Sequence, residues 1–318
     1  MTEKFLLTAK AGDEMAGLRL DQAAAQLFPA YSRARLQGWI KHSQLLVNEH
    51  PGKASDKLVG GESLSLRAEV ETPEHWQAER LALDIVHEDE ALLVLNKPVG
   101  LVVHPAVGNR SGTLLNALLY HCPALDKVPR AGIVHRLDKD TSGLMVVAKT
   151  LSSHLSLVEQ LQARTINREY QAVVNGLIVA GGSIDAPLGR HPVQRTRRAI
   201  VAGNEGKPAV THYRVRERFR SHTFVNVRLE TGRTHQIRVH MAHIGYPLVG
   251  DQTYGGRLKF PRGASLELIE FLKTFKRQAL HAFRLGLLHP DSGLAMSWEV
   301  DTPADMQALV DVLRRDRE

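Results

Sequence analysis

Gly132-Ile133-Val134-His135-Arg136-Leu137-Asp138-Lys139-Asp140-Thr141-Ser142-Gly143 is the stretch from which the rest of the chain is read. Between two glycines it holds two carboxylates, two cations, a histidine and two hydroxyls. The apolar run Leu144-Met145-Val146-Val147-Ala148 follows at once and predicts a buried strand. A charge-dense loop is thus tied directly to the core, which is how folds usually present reactive groups. By itself the loop reads equally well as a solvated turn with a surface ion pair, since most charge clusters are structural.

Elements on both sides of this loop define one large region, residues 83–318. Upstream, Ile85-Val86-His87 and Leu92-Leu93-Val94-Leu95 read as a hairpin about Glu88-Asp89-Glu90. Asn96-Lys97-Pro98 leaves the second strand, and Gly100-Leu101-Val102-Val103-His104-Pro105 runs on from it. Thr113 to Cys122 reads as a helix closed by Pro123. Downstream, a helix is expected over 151–163 with Leu151, Leu155, Val158 and Leu161 facing inward. Strands are expected over 168–174, 210–219, 224–230, 279–288 and 294–300, the last two joined through His289-Pro290-Asp291-Ser292-Gly293. An amphipathic helix over 303–314 ends the pattern. Hairpins outnumber strand-helix-strand units, which predicts an α+β fold with a mixed, largely antiparallel sheet flanked by helices.

Residues 1–75 form a separate small unit. Leu20, Ala24, Leu27 and Phe28 recur at helical spacing before Pro29. Ser32 is suited to cap a second helix, with Leu36 and Ile40 inward and Arg33, Arg35 and Lys41 projecting. Short alternating segments at 45–47 and 63–66 follow. A basic helix on a small scaffold suits nucleic-acid phosphates, or is a plain solvated face. Aperiodic residues 70–82, including Pro73, read as a linker.

The totals narrow the class. Lys plus Arg exceeds Asp plus Glu by 41 to 34, a net +7 that favours polyanionic partners. The one cysteine, Cys122, excludes an internal disulfide and a cysteine-rich zinc site. No run approaches the roughly 18 apolar residues of a membrane span, and the N-terminus lacks the basic-then-apolar form of a signal peptide. A soluble cytoplasmic protein is expected.

Asp138-Lys139-Asp140-Thr141 matches the Asp-x-Asp-x-Thr pattern of metal-dependent aspartyl-phosphate phosphotransferases. There the motif closes a hydrophobic strand near the start of the domain. Here His135-Arg136 interrupts the run, and an arginine two residues from the nucleophile would compete with the metal. His235, His240 and His243 cluster in sequence without a His-Glu-x-x-His pattern, and Arg233 and Arg238 would repel a cation. No metal site is expected. Phosphate-binding glycine loops are missing, so neither is a nucleotide cofactor. What remains is an aspartate flanked by cations, able to act as nucleophile or base without a metal. A second basic segment, Thr231-Gly232-Arg233-Thr234-His235-Gln236-Ile237-Arg238-Val239-His240, is expected to open a helix capped near Thr234. Its N-terminus with Arg233 suits anions, and Arg238 could pair with an aspartate from another loop or sit alone at the surface.

His135-Arg136-Leu137-Asp138-Lys139-Asp140-Thr141-Ser142-Gly143-Leu144 resembles the signature of RluA-type pseudouridine synthases. The segments 96–105, Arg168-Glu169-Tyr170, 232–240, Gly250-Asp251-Gln252-Thr253-Tyr254-Gly255-Gly256 and Gln278-Ala279-Leu280-His281-Ala282 resemble the family's other motifs in order and spacing. Residues 18–67 resemble an S4 RNA-binding domain. The resemblance implies isomerisation of uridine to pseudouridine in RNA, with no cofactor. It implies Asp138 as the catalytic aspartate, Arg238 as its basic partner and Tyr170 as the ring that stacks on uracil and helps with the C5 proton. Arg136 would fill the space left by the flipped nucleotide. His135, Arg233, Thr234, His235, Asn96 and Lys97, with Arg33 and Arg35 of the small unit, are the implied RNA contacts. The implied partner is 23S ribosomal RNA or a large-subunit precursor, at uridines of the helix 69 stem-loop, acted on by a monomer. Residues 202–208, 257–264 and 314–318 match no motif. Two other readings stand beside it: the phosphotransferase, which a chelator would silence, and a non-catalytic RNA-binding assembly factor, indifferent to Asp138→Asn.

Overall fold

A computed structural model of the chain describes residues 2–316 apart from residues 30, 32, 72–75, 107, 195 and 202–205. The expected cap Ser32, part of the linker, most of the 202–208 turn and the last two residues of the tail therefore lie outside the described residues. The chain divides into two compact units, Met1–His75 and Trp76–Glu318.

In the first unit, β1 (Thr2–Lys10), β2 (Leu45–Val47), β3 (His50–Pro51) and β4 (Ser63–Glu71) form a sheet in the order β1-β4-β2-β3. Helices α1 (Leu20–Leu27) and α2 (Arg33–Lys41) supply Leu20, Ala24, Leu36 and Ile40 to a core with Leu45, Leu64 and Leu66. The inward positions of both helices are those that the spacing predicts. Strand β1 is an addition that the sequence did not suggest.

The second unit holds β5 (Ile85–Glu88), β6 (Leu92–Lys97), α3 (Leu114–His121), β7 (Ser142–Ala148), α4 (Leu151–Gln162) and β8 (Asn167–Asn175). Next come β9 (Gly182–Asp185), β10 (Leu188–Arg190), β11 (Arg198–Ile200), β12 (Val210–Arg218) and β13 (His222–Leu229). The last elements are α5 (Gln236–His243), α6 (Leu266–Thr274), β14 (Leu280–Leu288), β15 (Ala295–Glu299) and α7 (Ala304–Arg315). Among the described residues, nine strands form one sheet in the order β5-β6-β7-β14-β8-β13-β12-β9, with β15 also paired to β14. Every pairing is antiparallel except β7 with β14. This is the mixed, largely antiparallel sheet expected from the hairpin count.

All seven residues of β7 are buried. Met145 and Val147 join Leu93 and Leu95 in one core, while Leu144, Val146 and Ala148 join Leu92 and Val94 in another. The period-2 alternation of the strand sends successive side chains to opposite faces, so both faces of β7 are covered. The two glycines that bound the opening loop are required by this placement. Gly132 (φ 77°) and Gly143 (φ 116°) adopt conformations that L side chains rarely enter. A Cβ at Gly132 would lie 1.9 Å from the carbonyl oxygen of Ala148, and one at Gly143 would lie 2.2 Å from that of Ala282.

Two local expectations are corrected. Helix α4 turns Ser153 and Leu157 inward and leaves Leu151 and Leu155 more than half exposed. Val158 and Leu161, the other two expected inward positions, are half-buried and line a cavity. Asn96 and Lys97 belong to β6 rather than leaving it. Helix α5 starts at Gln236 and is capped by His235 in a left-handed conformation (φ 59°), one residue from the expected cap near Thr234.

Candidate active site

The loop from 133 to 141 is held from several sides. Thr141 N–H donates to the carbonyl of Asp138 at 3.1 Å, closing a turn around the carboxylate. Gln278 Nε2 donates to Thr141 Oγ1 at 3.0 Å, and Ser142 Oγ lies 2.9 Å from His281 Nδ1. The two hydroxyls of the opening stretch therefore tie the loop to β14 and its approach. Gly100 N–H and the Lys97 ammonium both donate to the carbonyl of Lys139 at 3.0 Å.

Lys97 is fully buried, and its Nζ also donates to the carbonyls of Pro98 (2.7 Å) and Leu101 (3.0 Å). It is a brace for the loop and has no surface to offer RNA, which corrects its assignment as an RNA contact. Asn96 is half-buried, and its amide donates to Asp84 Oδ2 at 2.9 Å. Burial pushes the Lys97 ammonium down to about 8, against the pull of Asp140 and Asp138. The unfolded lysine keeps its proton up to about 10.5. Between these values the unfolded chain holds a proton that the folded chain lacks, so stability rises with pH. The stability of wild type relative to Lys97→Met should therefore rise by about 3 kcal/mol from pH 7.5 to 10.5. Urea unfolding measures it, and a constant gap would mean that Lys97 titrates like a solvated lysine.

Asp138 stands at the end of a chain of charges. Arg238, on the buried face of α5, donates from Nη1 to Asp138 Oδ2 at 3.0 Å. Its Nε and Nη2 donate to Asp251 Oδ2 and Oδ1 at 2.6 and 2.8 Å, a fork-on-fork pair. Asp251 Oδ1 also accepts from the amides of Thr253 and Tyr254 at 2.8 and 3.1 Å. Burial works to raise Asp251, but Arg238 and the two amides outweigh it and hold the carboxyl below its ordinary range. Burial likewise opposes the Arg238 charge, yet the two carboxylates raise it above its usual value. The Tyr254 ring lies 5.1 Å from the guanidinium, and its hydroxyl is 2.8 Å from His235 Nδ1. Arg238 is thereby locked in one orientation, with a single N–H pair left for Asp138.

Beside Asp138 opens a cavity of about 760 Å³. Its wall carries Tyr170 and five arginines, 130, 136, 164, 168 and 233, against only Asp138 and Glu230 as carboxylates. Glu230 is already paired, with Arg164 at 3.2 Å and His212 at 2.7 Å. A cavity so lined focuses positive potential and suits a polyanion. His135 and Thr234 also face it, and Arg136 is exposed at its edge. Val146 N–H donates to His135 Nε2 at 3.1 Å, and burial with Arg168 nearby pushes the ring down to about 3. His135 is thus neutral with its proton on Nδ1. Burial also lowers His235, whose Nε2 lies 3.8 Å from Asp138 Oδ1. Arg233 is exposed and held loosely to the carbonyl of Pro208 at 3.3 Å. Burial raises the Tyr170 phenol above its ordinary value.

The sequence-derived residues Asp138, Tyr170, Arg238, Arg136, His135, Arg233, Thr234 and His235 thus gather in one place. Arg33 and Arg35 belong to the other unit. Arg33 is committed to the buried Asp21, with Nη2 2.6 Å from Oδ2, so its charge is largely answered within the fold. Arg35 lies over Trp39 at 5.5 Å. Sequence reasoning assigned no role to Asp251, Arg168, Arg130 or Arg164. Asp251 sits in the Gly-Asp-x-x-Tyr-Gly-Gly segment, which was the only signal for it. His240 is buried, with Nδ1 2.9 Å from Thr211 Oγ1 and Nε2 3.0 Å from the carbonyl of Ala186, a structural role. No group of three potential metal ligands occurs among the described residues, and no helix among them is long and apolar enough to cross a membrane.

Comparison with known proteins bears on this geometry. A sequence model of the family described as RNA pseudouridylate synthase matches residues 91–243. The ribosomal large subunit pseudouridine synthase D of Pseudomonas aeruginosa is 57% identical over 318 residues, 100% of this chain and 99% of that protein. The protein of the same description from Salmonella typhimurium is 54% identical over 319 residues, 100% of this chain and 97% of its own length. Among solved structures, human RNA pseudouridylate synthase domain containing 4 is similar with a TM-score of 0.58 at 25% identity, over 73% of this chain and 93% of that one.

Proposed function

Since the chain belongs to the RNA pseudouridylate synthase family and is a pseudouridine synthase, an isomerase, we propose that it converts specific uridines of 23S ribosomal RNA in the large subunit or its precursor, in the helix 69 stem-loop. The observation that carries this reading is one carboxylate, Asp138, aimed by the locked Arg238 into a cavity lined by arginines. The reaction breaks the bond from N1 of uracil to C1′ and forms one from C5 to C1′. A proton leaves C5 and one is gained at N1, so atoms and electrons balance without an oxidant or a transferred group. The proposal takes the enzyme to work as a cytoplasmic monomer without a cofactor.

Each residue then has a task. Asp138 meets the ribose at C1′ as nucleophile, or takes a sugar proton, while the base departs. Arg238 balances its charge and fixes its direction, which is where most of the gain from positioning lies. Tyr170 offers a flat ring to the uracil. The upward shift of its phenol favours this stacking role over that of a phenolate base. The target must leave its stack, at a cost of a few kcal/mol, and the exposed Arg136 occupies the space it vacates. A loop uridine costs less to extrude than a paired one, in keeping with a stem-loop target.

Mapping pseudouridine in ribosomal and transfer RNA from cells with and without this protein tests the reading. Loss of modification at positions in the large-subunit RNA is expected; identical maps would sink it. The first unit is proposed as an S4-like RNA anchor, resting on its basic helix α2 and a core of its own. Deleting residues 1–75 should weaken RNA binding and reduce its log-log salt slope by roughly 0.7 to 0.9 for each phosphate contact removed. Binding titrations at several salt concentrations measure this, and unchanged affinity and slope would show that the unit is not an anchor.

A further inference from the structure

We propose that Arg168 grips a backbone phosphate next to the flipped uridine, a reading that rests on the synthase function above. Strand β8 places Arg168 and Tyr170 two residues apart, so both point to the same face, roughly 7 Å apart along the strand. Both are 6% exposed, and both form part of the cavity wall with Asp138.

Among the described residues, Arg168 is a buried cation without an ion-pair partner. Its Nε has no hydrogen-bond partner, and among the described residues no carboxylate stands within ion-pair distance of its guanidinium. Glu169 points to the opposite face, 3.6 Å from Arg284. The two carboxylates of the cavity are committed, Asp138 to Arg238 and Glu230 to Arg164 and His212. A buried charge is costly unless paired, so a partner from outside is the economical account of its retention. His104 Nε2, on the same wall, is a second buried polar atom without a partner. The fold also clears space for the guanidinium: a Cβ at Gly232 would come within 2.5 Å of Arg168 Nη1.

RNA brings one kind of anion, the phosphate. The planar fork of a guanidinium matches two phosphate oxygens, and a desolvated site strengthens that pairing. With Tyr170 against the base and Asp138 at the sugar, Arg168 is left for the phosphate on one side of the same nucleotide. It would set how far the nucleotide enters and thereby the register of C1′ with Asp138.

The test uses a synthetic RNA stem-loop carrying a uridine that the full-length wild type converts, with a neutral methylphosphonate placed at each flanking phosphate in turn. For the wild type, one of these linkages should lower kcat/KM by roughly ten- to hundredfold. Arg168→Gln should start lower by a similar factor and show no further loss with that linkage. Arg168→Lys should recover part of the activity on unmodified RNA. Gly232→Ala, which keeps Arg168 but displaces its guanidinium, should blunt the linkage effect as well, and it carries the comparison if Arg168→Gln does not fold. Arg168 variants as sensitive as wild type at both linkages, or an unchanged kcat/KM, would overturn the assignment while leaving the synthase reading intact. A wild type that converts no uridine in any RNA would remove the synthase reading itself.

Discussion

Asp138→Asn is expected to abolish pseudouridine formation, lowering the rate by roughly 10⁴-fold or more, while RNA affinity changes by less than about threefold. The asparagine keeps the size and the acceptor oxygen that Arg238 Nη1 meets at 3.0 Å. It removes the negative charge, and with it both roles open to Asp138, attack on C1′ and removal of a sugar proton. Binding is spared because it rests on cations spread over the cavity wall, of which five are arginines. Single-turnover assays on a stem-loop RNA, paired with equilibrium binding, separate the two quantities. A variant that still converts uridine at the wild-type rate would show that Asp138 is not the reacting group. That result would move weight to the RNA-binding assembly role, in which the carboxylate is a structural partner of Arg238 alone.

The second large effect is on stability. Asp251→Ala should cost about 3–5 kcal/mol, because it leaves the Arg238 guanidinium buried without its main counter-charge. Marginal domains have only about 5–15 kcal/mol in all, so a clear drop in the unfolding midpoint is expected. Loss of Asp251 also frees Arg238 to turn fully onto Asp138. The carboxylate would then be held by two donors instead of one, and its aim at C1′ would change. Activity of the remaining folded enzyme should fall by about 10²-fold, the scale on which small misplacements act. The double variant Arg238→Met with Asp251→Leu separates the two effects. It should recover much of the stability, since apolar side chains can replace a buried pair, yet remain inactive. A double variant as active as wild type would mean that Asp138 needs no orienting cation.

The sheet, its hairpins and the buried strand β7 were legible from local pattern. The continuous apolar run at 144–148 marks a strand covered on both faces, and run length is a property of the local sequence itself. The core of the site was legible too. Asp138, Tyr170 and Arg238 carry distinctive neighbours in sequence, and the expectation that Arg238 pairs with an aspartate of another loop is met across 100 positions. Leu151 and Leu155 show where pattern fails. Their helical spacing is correct, but both are more than half exposed, because spacing shows a shared helix face and not what packs on it.

The chain sequence by itself determined the family and the mixed antiparallel sheet, and it singled out the proposed reacting carboxylate, because each is written in contiguous residues whose spacing is local. The fate of most other charges was decided only by the tertiary structure. Lys97 proved to be a buried brace, Arg33 a partner of Asp21, and Asp251 the anchor of Arg238. Arg168 proved to be a buried cation without an ion-pair partner among the described residues. The reason is physical: a charge is defined by what stands within about 4 Å of it and by how much water it keeps, and the packing of distant segments sets both.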